Sequence, residues 1–260
     1  MITDFHCRVF PEEELHETAK KEKALPYSDG TYADLSKKAK LYGVGSFAVM
    51  NCAAPYGGCM IPFFQVNDPE SFALAAKEIK SLGYAGVSID PERLRTPADG
   101  RRLHPVFEKA AEAGLAVSVR CGGSHFSEYI YCTPERLCAV ADRYRGATLI
   151  FSHLAGIRKW NAAAEELCGK QVYFDTAACA FDVSVEEAKK IISEHKADKI
   201  LFGSDMPWCT PSLISAFLSV CGISGEELEL IEHKNAKRLL SALSYKPNRK
   251  ACVPLPHSDM

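Results

Sequence analysis

Short, nearly unbroken apolar runs punctuate this chain, and the stretches between them carry apolar residues three and four positions apart. Eight of the runs predict strands: Ile2–His6, Gly45–Met50, Met60–Val66, Ala85–Ile89, Ala116–Arg120, Thr148–His153, Val172–Asp175 and Lys199–Ser204. A strand with one wet face alternates apolar and polar residues. A strand covered on both faces reads as a continuous apolar run, the habit of parallel sheets flanked by helices.

Helix punctuation fills most of the gaps. Asp68–Pro69 opens a pattern that Gly83 ends, and Pro105 sits in the first turn of His104–Gly114. Thr133 caps a helix that has Pro134 in its first turn and Gly146 after its end. Ser184 caps another, with Glu186 and Glu187 in its first turn. Ser224 and Glu227 make a capping box for a helix reaching Leu243. This alternation over about 250 residues predicts a single (β/α)8 TIM barrel. The alternative is an open doubly wound sheet, but no G-x-G-x-x-G follows the first strand. Only Asn51–Cys59 joins the second and third strands, too little for a crossover helix, so a loop and a distorted barrel are expected there. The long polar stretch Arg8–Thr31 reads as a lid with a short helix of its own. The barrel is assigned to residues 1–244, and 245–260 to a Pro-rich, non-helical tail.

Composition changes this picture in three places. Residues 41–67 carry no charge and are long enough to span a bilayer, but Gly43, Gly45, Asn51, Pro55, Gly57, Gly58, Pro62 and Gln65 break them. Two buried strands and a turn are expected instead, and no membrane association. A formal net charge of −2 without a basic block argues against nucleic acid. The eleven cysteines are odd in number, form no Cys-x-x-Cys pair and follow no export signal, so reduced, buried thiols in a cytoplasmic protein are expected.

In a TIM barrel the chemistry gathers at the C-terminal strand ends. Those ends carry His6 with Arg8, Asn51, Gln65 or Asn67, Asp90, Arg120, His153, Asp175 and Asp205. Any one of them is as readily a strand cap in water. His6, Arg120, His153 and Asp205 together point to one common mouth. Ser124 and His125 follow the fifth strand, and Trp208 follows Asp205 as a wall for a planar ligand or as core packing. His16, His104, His195, His233 and His257 fall in loop, helix or tail positions and are expected at the surface. Neither a G-x-S-x-G elbow nor a Ser-His-Asp order is present, which argues against a serine hydrolase.

Four segments also carry a family resemblance. "TDFHCR" resembles the first-strand Asp-x-His-x-His motif of the amidohydrolase-related branch of the amidohydrolase superfamily, and "FSHLAG" its sixth-strand histidine motif. "LFGSDMPW" resembles its eighth-strand aspartate motif, and "LIEHKNAKRLL" the Asn-Ala-x-x-Leu helix that follows. The order matches from Asp4 to about Leu240. The resemblance implies a barrel in which two first-strand histidines, a fifth-strand histidine and the eighth-strand aspartate hold a divalent metal, commonly zinc. The sixth-strand histidine activates water or polarises the substrate. His6, His153 and Asp205 match; the second first-strand position is Arg8 and the fifth-strand position is Arg120.

Those two departures change the expected chemistry. A guanidinium stays protonated and has no lone pair for a cation. A reduced set of His6, His153 and Asp205 would still reach the roughly three protein ligands of a catalytic zinc site. Arginine favours an anion instead, gripping carboxylate or phosphate through two parallel hydrogen bonds. Gly122 and Gly123 would let backbone approach such a ligand. The resemblance permits this, because the family includes a metal-free lactonase branch acting on carboxylated substrates. The structural alternative pairs Arg8 and Arg120 with Asp4, Asp175 or Asp205. The leading expectation is a hydrolase of a small carboxylated cyclic substrate, a lactone or cyclic amide. Asp205 is its general base, His6 and His153 polarise the carbonyl, and Arg8, Arg120, Ser124, His125 and Trp208 contact substrate. Two alternatives stand beside it: a hydrolase or decarboxylase using zinc or another divalent metal on His6, His153 and Asp205, and a non-catalytic anion-binding barrel. A homo-oligomer is left open.

Overall fold

Eight parallel strands stand side by side in chain order: β1 Ile2–Cys7, β2 Val44–Val49, β3 Met60–Gln65, β4 Gly86–Ile89, β5 Ala116–Val119, β6 Leu149–Phe151, β7 Tyr173–Asp175 and β8 Ile200–Leu201. The structure is a computed structural model that describes residues 1–55, 58–122 and 129–246. Closure comes from the chain just beyond β8, which runs along β1. Phe5 N donates to Phe202 O at 2.6 Å, Asp205 N to His6 O at 2.8 Å and Arg8 N to Met206 O at 2.8 Å. The expected (β/α)8 barrel is therefore the fold. Its last strands are shorter than the apolar runs suggested, because Ser204 N turns away to the side chain of Asp4.

Helices wrap the sheet. α1 Glu12–Glu22 and α2 Tyr32–Leu41 lie between β1 and β2. α3 Pro69–Ser81, α4 His104–Glu112, α5 Pro134–Arg143 and α6 Trp160–Leu167 follow β3 to β6 in turn. α7 Cys179–Asp182 and α8 Val185–His195 follow β7, and α9 Pro211–Val220, α10 Gly225–Glu229 and α11 Asn235–Ala242 follow β8. Three of the caps read from sequence are made, while Thr133 begins α5 without a side-chain cap bond. Asp68 accepts from Ser71 N, and Ser184 and Ser224 each complete a capping box. As expected, no helix joins β2 to β3 among the described residues, and the two strands pair directly from Phe47–Met60 to Val49–Pro62.

Two sequence expectations are corrected. The helix foreseen from Ser224 to Leu243 runs through, but not as regular α-helix: a widened turn, Leu230–Lys234, lies between α10 and α11. The reason is Asn235, fully buried, whose amide donates at 2.7 Å to the carbonyls of both Ala197 and Ile200. The extra residue in the turn lets this side chain reach the start of β8. His195, expected at the surface, is 2% exposed. It ends α8 stacked on Phe174, with Nε2 3.0 Å from Val172 O and Nδ1 accepting from Gly169 N. Burial pulls its pKa down to about 4, so the ring is neutral. α2, α6 and α9 also went unread, although Thr31 caps α2 and Thr210–Pro211 opens α9.

The core has two layers. Strand and helix side chains fill the outer one. Inside the barrel, Phe5, Ile61, Phe63, Ile150 and Leu201 pack down onto Ala236 and Leu239 from α11 and Leu243 just past its end, which close the lower end. The upper end is left for polar groups. The cysteines among the described residues are free, and no described helix is long and apolar enough to cross a membrane.

Asn235 is the pin between the barrel and its lower helix. Asn235→Ala removes two buried amide-to-carbonyl hydrogen bonds, so urea unfolding should show a loss of about 1–3 kcal/mol. A loss below about 0.5 kcal/mol would mean water replaces the amide there.

Candidate active site at the barrel mouth

The upper strand ends converge on a buried carboxylate. Asp175, at the end of β7, takes His6 Nδ1 on one oxygen at 2.8 Å. Its other oxygen accepts His153 N at 2.9 Å and Ala177 N at 3.0 Å. One fully buried side chain thus ties β7 to β1 and to the turn after β6. Local sequence makes this possible. The β1 register is irregular between Asp4 and Cys7, which lets His6 reach the mouth although Phe5 already points into the barrel. Gly203 has no side chain because His6 passes there; a Cβ on it would stand 2.9 Å from His6 Cβ. His153, Leu154 and Ala155 all have left-handed φ (58°, 49° and 60°), as does Asp205 (69°). Non-glycine residues rarely adopt this conformation, and such clusters mark working sites.

The two histidines are pushed in opposite directions. Burial alone would lower the pKa of His6, but the Asp175 carboxylate, by charge and hydrogen bond, and Asp205, with Oδ1 3.7 Å from Nε2, overcome it and raise it. Asp175 is held below its ordinary range despite burial, through His6 and His153. The shifts on the two partners therefore agree. His153 lies 5.4 Å from His6, ring to ring, and its pKa is lowered by burial and by the charge on His6, with Asp205 only partly offsetting. Its Nδ1 sits 2.8 Å from Ala177 O, so the neutral ring carries its proton there and donates it. Nε2 is left with a lone pair, buried and without a partner among the described residues.

Beside this cluster opens a pocket of about 320 Å³, including its opening to solvent, lined by His6, Arg8, Gln65, Asp90, Ser118 and Arg120 among others. Arg8 lies over the ring of Phe10, 5.1 Å from its centre, and Phe10 meets Trp208 edge-on at 5.6 Å. Trp208 thus backs Arg8 through Phe10 rather than lining the pocket. Burial and the nearby Arg120 both lower the pKa of Arg8, with Asp205 and Asp90 working against them. Arg120 is 4.0 Å from Asp90. The ion pairs considered from sequence with Asp4 and Asp175 do not form. Asp175 is committed to His6, and Asp4 to Ser204, whose Oγ lies 2.5 Å away and whose N donates at 2.9 Å. Burial lifts the Asp4 carboxyl to about 6, against the pull of the Ser204 hydrogen bonds.

Of the residues named from sequence, His6, His153, Asp205, Arg8 and Arg120 stand at one mouth. Ser124 and His125 lie outside the described residues. Asn51 is structural, exchanging hydrogen bonds with the backbone of Val9. Asp175 is the residue whose place in the cluster sequence reasoning missed. Its signal was present, a carboxylate ending the buried run "VYFD", but the partner it chose was invisible.

The amidohydrolase family model matches residues 5–241. No curated protein matches the sequence. Among solved structures, an uncharacterised TIM-barrel protein from Bordetella bronchiseptica is 18% identical with a TM-score of 0.73, covering 94% of this chain and 99% of its own. A putative 2-pyrone-4,6-dicarboxylic acid hydrolase from Pseudomonas putida is 15% identical with a TM-score of 0.66, covering 93% and 97%. A dihydroxybenzoic acid decarboxylase from a Polaromonas species, with bound manganese and the inhibitor 2-nitroresorcinol, is 15% identical with a TM-score of 0.67, covering 93% and 97%. At these identities the likeness to solved structures extends to the fold alone.

One of these relatives holds a metal, so the donor set here needs a test. Among the described residues, no three His, Cys, Asp or Glu side chains are placed to hold one ion together. His6 is engaged by Asp175, and two guanidiniums face the mouth, where a divalent cation would meet their charge. The residues do not fit a resident divalent ion. Protein purified without chelator should carry well under one tightly bound zinc per chain by elemental analysis; a full equivalent surviving dialysis would overturn this. The double change Arg8→His with Arg120→His should raise zinc affinity at least tenfold by calorimetry. No gain would mean that these positions do not face a cation site.

Proposed function

Because the chain belongs to the amidohydrolase family, we propose that it hydrolyses a small carboxylated ring, a lactone or cyclic amide, using its own side chains at the barrel mouth. The observation that carries the reading is the lone pair on His153 Nε2, buried and unpartnered among the described residues beside a histidine held between two carboxylates. A buried acceptor without a donor is unfavourable unless a ligand or water supplies one.

The steps follow from charge and tautomer. Arg8 and Arg120 grip the substrate carboxylate and set the ring in the pocket. Asp205 takes a proton from water, as the sequence led us to expect. His153 changes role: with its proton on Nδ1 it cannot polarise a carbonyl through Nε2, and instead accepts the water's second hydrogen and orients the attack. His6, protonated between Asp175 and Asp205, donates toward the oxyanion as it forms. When the tetrahedral intermediate collapses, the ring C–O or C–N bond breaks and Asp205 returns the proton to the leaving atom. The product is an open chain with one more carboxylate. Opposed pKa shifts on neighbouring groups are the usual means of dividing acid and base roles.

Asp205→Asn keeps shape and removes the base. On a lactone or cyclic amide found by screening small carboxylated rings, it should cut kcat at least about 100-fold, with KM within about tenfold because the arginines hold the substrate. If no such ring turns over and the change affects only stability, a non-catalytic anion-binding barrel becomes the better reading.

The pH profile has a definite sign. His153 must be neutral, so activity falls as pH drops through its pKa, which lies below the ordinary 6.5. His6 must be protonated, so activity falls as pH rises through its pKa, which lies above 6.5. The plot of kcat/KM should be a bell straddling that value. Asp175→Asn removes the main positive push on His6 and should move the alkaline limb down. An unmoved alkaline limb would mean that His6 is not the acid.

A further inference from the structure

The pocket has a polar floor that the mechanism above does not use. In the sheet register Gln65 pairs with Ser88, and Ser88 with Ser118, so three polar side chains form one row across β3, β4 and β5. All three line the pocket. TIM barrel interiors at this depth are normally filled by bulky branched residues. Ser88 spends its hydroxyl on the carbonyl of Met50. Gln65 and Ser118 make no side-chain hydrogen bond within the described part of the protein, although Ser118 is only 2% exposed.

The depth of the row carries the chemistry. Ser118 and Arg120 are two residues apart on one strand, so both point inward, with Ser118 about 6–7 Å deeper. That is about the span of a six-membered ring with a substituent at each end. We infer that Gln65 and Ser118 are specificity-determining residues that read an uncharged oxygen, a hydroxyl or a carbonyl, on the side of the substrate ring opposite the carboxylate. The amide and the hydroxyl can each donate and accept, so either oxygen type is served. A substrate with an apolar group there would desolvate both without replacing their hydrogen bonds, the situation in which sites discriminate most strongly. The inference rests on the reading of Arg8 and Arg120 as the carboxylate clamp.

Calorimetric binding of three probes to the full chain separates the two claims. Benzoate tests the clamp alone. Para-hydroxybenzoate and para-methylbenzoate differ only in the group that meets the floor. Wild-type protein should bind the hydroxy compound at least tenfold more tightly than the methyl compound. Gln65→Met with Ser118→Ala should bring that ratio within twofold and leave benzoate affinity unchanged. Arg120→Met should weaken all three alike. Should the double change fail to fold by circular dichroism, each single change should lower the ratio by itself. If benzoate binds and the ratio is near one in wild type, the floor does not read oxygen and the inference is overturned while the clamp stands. If none of the three binds, the clamp is wrong and the inference falls with it.

Discussion

The mouth of this barrel depends on one buried carboxylate. Asp175 is removed from water, and a lone charge there would be very costly. It is tolerated because its two oxygens are filled from three sides, by the imidazole of His6 and the backbone N–H groups of His153 and Ala177. Each of these partners is thereby constrained. His6 must carry a proton on Nδ1, which directs Nε2 at Asp205. The turn after β6 must present His153 N to the carboxylate, and it does so in a left-handed conformation. The tautomer of His6 and the rise in its pKa follow from where this charge is buried.

Around that anchor the mouth divides by chain position. One half is built by β6, β7, the segment after β8, and His6. The other half is built by β1 to β5, where Arg8, Asp90 and Arg120 crown a row of Gln65, Ser88 and Ser118. His6 belongs to both, because β1 is the seam at which the barrel closes. A cation at the centre would face two guanidiniums, whereas an anion would be drawn in by both. Where the resemblance led us to expect two histidines, the mouth carries Arg8 and Arg120.

Much of the fold was legible because barrels announce themselves locally. Strands covered on both faces must be apolar along their length, and helix caps need Ser, Thr or Asp in front and Gly or Pro at set places. The strands and the strongly capped helices could be read from residues a few positions apart. The widened turn before α11 could not, since it depends on Asn235 reaching carbonyls that lie far away in sequence.

The site was legible by kind and not by partnership. Sequence alone placed His6, Arg8, Arg120, His153 and Asp205 at strand ends, because the C-terminal end of a barrel strand is a position that local pattern marks. It could not say that Asp175 would hold His6 while Asp90 faced Arg120, since each of these pairs joins two strands far apart in sequence. Nor could it show that Ala177 O fixes the tautomer of His153, or that three strands bring Gln65, Ser88 and Ser118 level. Composition and spacing determine which groups a strand can deliver. The shear and closure of the barrel decide which of them meet, and at separations of a few ångströms those meetings set protonation, charge and function.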